Sequence, residues 1–182
     1  DATSEIYYAR LVEEESTATV MAGLREVIER KGVFCALYSD RGSHFWLTPK
    51  VGGKVDAHRL TQVGRALHEL GVQMIPAYSP QARGRSERVN RTLQDRLVNE
   101  LRVADIRTLP AANRYLRDHF MPAFNAEFAR PPADPAPAFV PLGRVDSDEI
   151  LCHEEPRTVA LDNTVRLDGV VLQIAKQRGR RT

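Results

Sequence analysis

The 182 residues include two cysteines and one tryptophan, and the net charge is only +2. Each scarcity removes a class of protein. Cys35 and Cys152 lie in different parts of the chain without CxxC spacing, so neither a disulfide framework nor a zinc site is indicated. Cys152-His153 is an adjacent pair, whereas zinc-finger ligands are spaced apart. There is no run of about 18 apolar residues and no visible signal-peptide pattern, so a cytoplasmic protein without a membrane partner is expected. Twenty-six basic residues against 24 acidic ones do not argue for a polyanionic partner by themselves. What remains is ordinary: 42% hydrophobic and 27% charged residues, enough chain for one full core and an appendage.

Charge is informative only through its placement. Residues 83–102 hold six arginines against Glu87, Asp95 and Glu100. The stretch opens with turn formers, Pro80 and Gly84, and then predicts a helix capped by Ser86. Val89, Leu93, Leu97 and Leu101 recur every fourth residue as its buried stripe. Glu87 falls about 120° from that stripe, on a flank with Asn90, Arg91 and Gln94. A carboxylate in a first helical turn is stabilised by the helix dipole, and that alone could account for it. Yet Arg83, Arg85, Arg88 and Arg91 surround this one acid on a surface the core does not need, as a phosphate-binding surface would. The tail from Lys176 to Arg181 adds four cations and no acid, either a second phosphate-binding stretch or a plain solvated end.

The remaining elements are read in chain order. Glu5 to about Val12 is a predicted strand leaving a turn at Asp1-Ala-Thr-Ser, the second arm of a hairpin whose first arm is expected upstream. Residues 16–31 predict a helix capped by Ser16 or Thr17, striped by Val20, Leu24, Val27 and Ile28, and stopped by Gly32. Val33 to Tyr38 predicts a strand buried on both faces, ending at Asp40. Asp40 has two readings: an Asx turn before Gly42, or an acid at a strand exit, where α/β sheets place their chemistry. Gly52-Gly53 predicts a mobile loop over 46–57, and a helix is expected from Ala57 to Leu70, with Leu60, Val63, Leu67 and Leu70 inward. Val72–Pro76 is the next strand. If Asp40 and Glu87 converge, their hard oxygens can hold divalent cations, usually Mg²⁺, and two such ions support phosphodiester chemistry.

The segments Tyr38–Phe45, Gln62–Leu67 and Ser79–Gln94 together resemble the integrase catalytic core of bacterial insertion-sequence DDE transposases, nearest the ISNCY type and related to retroviral integrases. The resemblance implies an RNase H-like α/β fold, a mixed sheet flanked by helices, followed by a small, incomplete C-terminal β module. It implies Asp40 and Glu87 as second and third acids of the triad, with Mg²⁺ or Mn²⁺ in a two-metal site incomplete in this chain. Arg83, Arg85, Arg88, Arg91 and Gln94 would meet DNA, at transposon ends and target, in a homo-oligomer associated with the bacterial nucleoid. The first acid is expected upstream, since Asp1 matches a turn and not that acid.

Beyond Arg102, Leu109–Phe128 predicts a helix with Thr108 as cap and Ala112, Leu116, Phe120 and Phe124 as stripe. Its aromatics are expected in the core or against a partner subunit. The expected division is a core over 1–128, a proline-rich linker over 129–148 and a β module over 149–182, with turns at Asp162-Asn163 and Asp168-Gly169. The functional alternative is a non-catalytic remnant that docks on DNA or on partner subunits. A junction-resolvase-like nuclease fits the Ser79–Gln94 motif less well. Lacking the first acid, these 182 residues are expected to give no detectable strand transfer on a pre-cleaved transposon end with Mg²⁺ or Mn²⁺; joining by this chain would make Asp1 the candidate first acid.

Overall fold

The computed structural model of the chain describes residues 3–50 and 52–175, with the backbone alone at 80–83 and 85. Two compact units result, one running to Cys152 and the other beginning at His153.

Helix α1 (Thr17–Lys31) starts where Ser16 predicts it. The Ser16 Oγ accepts the Thr19 N–H at 3.2 Å, and the Thr19 Oγ1 accepts the Ser16 N–H at 2.9 Å, a reciprocal capping box. Gly32 ends the helix at φ 106°, and a Cβ there would sit 2.5 Å from the Val140 carbonyl oxygen. Both the dihedral and the lack of space require glycine.

The apolar run that follows divides at Cys35. β1 (Val33–Phe34) pairs antiparallel with Phe139–Val140, and β2 (Ala36–Ser39) pairs in parallel with β3 (Gln73–Pro76). The expectation of burial on both faces fails: Cys35 and Ala36 are exposed and Tyr38 is 65% exposed. The core lies against the Leu37 and Met74 side of this pair, and alternate residues of β2 turn away from it.

Between the parallel strands, α2 (Gln62–Glu69) is shorter than the expected 57–70. The Asp56 carboxylate accepts the N–H groups of His58 and Arg59, which keeps that stretch in a turn. Thr61 then caps the helix by accepting the Gly64 N–H at 3.0 Å, leaving Leu60 outside and exposed. Val63, Ala66 and Leu67 are completely buried and pack with Met21, Ile28, Val72 and Leu151. Each such Val or Leu side chain contributes about 1.5–3 kcal/mol.

A second core lies between two long helical runs. The first is α3 (Pro80–Thr92), a five-residue π-helical stretch (Leu93–Leu97) and α4 (Val98–Val103). The second is α5 (Leu109–Tyr115), another π stretch (Leu116–Phe120) and α6 (Met121–Phe128). Helix α3 begins at Pro80, where a missing N–H costs nothing, so the expectations of a turn at Gly84 and a cap at Ser86 are both corrected. The π stretches have a sequence cause. In each run the apolar stripe repeats every four residues, and four α-helical residues turn through 400°, a drift of about 40° per step. A wider π turn rotates less per residue and returns the stripe to one line. Leu97, Leu116, Phe120, Met121 and Phe124 meet along it as the buried cluster.

Residues 5–12 form no strand with any described residue, contrary to expectation. Two asparagines take the place of a neighbouring strand. Asn125 accepts the Ile6 N–H at 2.8 Å and donates to the Ile6 carbonyl at 3.0 Å; Asn113 does the same to Leu11 at 2.8 and 2.9 Å. Twelve helical residues advance about 18 Å, and five extended residues advance about 17 Å. The two amides are therefore in step with Ile6 and Leu11 when helix and segment run in opposite directions.

β4 (Phe139–Val140) and the short helix α7 (Ser147–Ile150) close the first unit, which reaches beyond the expected core boundary at 128. Leu142, Ile150 and Leu151 join the α1–α2 core. Arg65 donates to the carbonyls of Ile150 at 3.0 Å and Cys152 at 2.6 Å, and Arg25 to that of Leu151 at 2.7 Å. Three successive carbonyls, at the last residue of α7 and the two that follow it, are thereby satisfied.

The second unit holds a hairpin of β5 (Thr164–Leu167) and β6 (Val170–Gln173). Asp168 at φ 48° and Gly169 at φ 81° form the tight turn that Asp-Gly predicts. The basic tail at 176–181 lies outside the described residues.

Asn113→Ala and Asn125→Ala are each expected to lower the unfolding free energy by about 1–2 kcal/mol in chemical denaturation, because part-buried backbone groups lose their partners. Amide exchange should accelerate at Leu11 in the first variant and at Ile6 in the second.

Candidate functional site

Parallel pairing brings the carboxyl ends of β2 and β3 to one edge. Ser39 lies opposite Pro76, and the Ala77 N–H bonds the Ser39 carbonyl at 2.9 Å. Asp40 follows Ser39 directly, and α3 starts three residues after Ala77. Asp40 is exposed, and one of its oxygens accepts the Gly42 N–H at 2.9 Å. This is the Asx turn of the simpler reading, and it also fixes the carboxylate at the strand exit.

Residues 46–57 contain no helix or strand among the described residues, and several groups in this loop are hydrogen-bonded. Trp46 is buried and its indole N–H donates to the Ser39 Oγ at 2.8 Å. The Asp56 N–H bonds the Leu47 carbonyl at 2.8 Å, and the Gly53 N–H bonds that of Lys50 at 2.8 Å. Arg41 donates to the Gly53 carbonyl at 3.0 Å and its guanidinium lies 5.3 Å from the centre of the Tyr78 ring. The Tyr78 hydroxyl accepts the Val55 N–H at 3.1 Å. The loop thus closes on itself and on the root of α3. The His58 N–H, foremost, holds the Asp56 carboxyl below its usual range. The turn this acid supports is complete above about pH 4, and is lost as pH falls through the lowered value.

Glu87 stands seven residues into α3, about 10 Å along the axis from Pro80. It is in the helix interior and exposed, so the first-turn dipole account does not apply. Glu87, Arg91 and Gln94 are spaced by four and three residues, share one helix face and are all exposed. Arg88 is exposed and donates to the Gly84 carbonyl at 3.1 Å. The side chains of Arg83 and Arg85, and Asp1, lie outside the described residues. Among the described residues, no three of His, Cys, Asp and Glu come together as a metal-binding group. No helix among them is long and apolar enough to cross a membrane.

Sequence reasoning passed over Trp46, Arg41 and Tyr78. The available signal was a lone tryptophan six residues after a strand-end acid, and an aromatic immediately before Ser79-Pro80.

Asp40 is thus an exposed acid at a parallel-strand exit, the edge at which α/β sheets commonly place ligands, and α3, which carries Glu87, Arg88 and Arg91, starts from the same edge. The chain is 38% identical over 168 residues to "Putative transposase y4bF" of Sinorhizobium fredii (strain NBRC 101917 / NGR234), covering 90% of this chain and 36% of that protein. It is 32% identical over 128 residues to "Transposase for insertion sequence IS1202" of Streptococcus pneumoniae, covering 70% of this chain and 27% of that protein. The chain therefore spans about a third of the length of the curated relatives it matches. No family model and no solved structure matches it.

Tyr78→Phe removes the acceptor for the Val55 N–H. Amide exchange at Val55 is expected to rise while the exchange of the α2 core stays unchanged, with a stability loss of about 1 kcal/mol or less.

Proposed function

We propose that this chain is the catalytic region of a DDE transposase with an RNase H-like integrase core, in which Asp40 and Glu87 are two of the catalytic acids. The observation that carries the reading is the similarity to two transposases, one of them across 90% of the chain. An alignment that long necessarily includes both the strand exits and α3. The β2–α2–β3 unit supports it, because its parallel strands carry Asp40 and the root of α3 to one edge.

The donors suit the metal. Mg²⁺ or Mn²⁺ takes hard oxygen ligands and is held through one or two carboxylates plus substrate phosphates. Asp40 and Glu87 would hold it, and when bound it activates the attacking hydroxyl or water and stabilises the leaving oxygen. The chain's own cations act on the DNA. Arg91 lies one turn beyond Glu87, and Gln94 one turn further, so both line the face that presents the acid. Arg88 and Arg91 would neutralise backbone phosphates there, with Arg83 and Arg85 nearer the helix root. Joining two transposon ends to one target calls for more than one copy of the protein.

In strand-transfer assays on the protein as its gene encodes it, Asp40→Asn and Glu87→Gln should each lower joining by at least about a hundredfold, the scale of a 1 Å misplacement. Metal-free DNA affinity should stay within about twofold. Full joining activity in either variant would remove that acid from the mechanism. Arg88→Ala with Arg91→Ala should weaken binding alike on all sequences, with a salt slope shallower by about 1.8.

A further inference from the structure

We infer that the loop from Arg41 to Arg59 is a second phosphate-contacting surface for duplex DNA, rooted beside Asp40 and carried by Lys50 and Lys54; this rests on the reading of the chain as a DNA-processing protein. The segment holds Arg41, Lys50, Lys54 and Arg59 against a single acid, Asp56. That excess of three positive charges is larger than the net charge of the whole chain. Arg41, Lys50, Lys54 and Arg59 are all exposed.

Two of these cations are uncommitted. Elsewhere arginines are engaged by carboxylates, as in Arg25–Asp148 at 2.9 Å, Arg96–Glu127 at 2.8 Å and Arg117–Asp118 at 2.7 Å. Arg59 lies close enough to Asp56 to interact with it electrostatically, and Arg41 is turned onto Tyr78 and Gly53. Lys50 and Lys54 form no ion pair among the described residues, so taking up a phosphate would break none of those pairs. Among its described residues the loop is tied down by the Trp46–Ser39, Asp56–Leu47 and Val55–Tyr78 bonds. Binding therefore need not order it first, which is where a loose basic loop loses affinity.

Position makes the charge useful. The bond to Tyr78 ties the loop to the root of α3, so loop and helix diverge from the same edge with Asp40 at their junction. A duplex resting on both would have a backbone segment on each side of the acid. The surface is bounded. Glu13, Glu14 and Glu15 end just before Thr17, whose hydroxyl meets His44 Nδ1 at 3.3 Å, so this acidic run borders the loop and repels phosphate there.

The test measures binding of the 182-residue chain to a labelled random-sequence duplex by fluorescence anisotropy between about 50 and 200 mM salt. Lys50→Ala with Lys54→Ala should weaken binding on every sequence and make the log K against log salt slope shallower by about 1.8, two phosphate contacts at about 0.9 each. Lys50→Arg with Lys54→Arg should keep the original slope, and Glu13→Gln, Glu14→Gln and Glu15→Gln together should tighten binding. If the alanine pair binds with the original affinity and slope while Arg88→Ala with Arg91→Ala weakens binding, the loop inference alone is overturned. If the unsubstituted chain shows no salt-dependent DNA binding, both it and the functional reading fall.

Discussion

The parallel pairing of β2 with β3 is the constraint on which the site depends. A parallel pair cannot be joined by a tight turn, so the chain must cross over, and α2 is that crossover. The register from Ala36 opposite Gln73 to Ser39 opposite Pro76 makes the two strands end together. From that edge come Asp40, the basic loop and α3. What holds the pair is the burial of Val63, Ala66 and Leu67 against α1 and the strands, supported by hydrogen bonds from Trp46 to Ser39 and from Ala77 to Ser39. Loosening α2 would therefore free both roots of the site at once, although neither root belongs to that helix.

The second core acts at the other end of α3. Its interlocking stripes fix the direction of the 80–103 run, and hence the face on which Glu87, Arg91 and Gln94 stand. Polar contacts tighten the same packing: Arg96 pairs with Glu127 at 2.8 Å, and the Tyr115 hydroxyl donates to Glu100 at 3.0 Å. Burial, with the Glu100 contact second, raises the Tyr115 phenol above its ordinary range, so it remains a donor at any physiological pH. The Asn113 and Asn125 clamps attach residues 5–12 to this core through backbone groups. That attachment tolerates many side chains in the segment while requiring the two amides.

Much of this was legible from residue type. Ser16 and Gly32 bounded α1, the stripe at 112, 116, 120 and 124 marked buried positions, and Asp-Gly marked the hairpin turn. These signals are local, because caps, turns and periodic burial depend on residues within a few positions of one another. Glu87 and the arginines could be singled out for the same reason, as a cluster in one short stretch, whereas Asp40 stood apart at a strand exit. Misreadings arose where a side chain chose between partners. Asp56 bonded its own loop and shortened α2, and Pro80 opened a helix that Ser86 seemed suited to cap. The strand expected over 5–12 met amides where a ladder was expected.

The amino-acid sequence by itself determined the bounds of α1, the two apolar stripes, the hairpin turn and the concentration of positive charge on one helix and one loop. It did so because periodicity, capping and charge are properties of neighbouring residues. Only the tertiary structure decided that Val33–Ser39 serves two different sheets, that the loop after Asp40 is tied down by Tyr78, and that both basic segments leave one edge. Those outcomes join residues tens of positions apart. They follow from strand register and from which buried polar atoms find partners, and both exist only once the chain has packed.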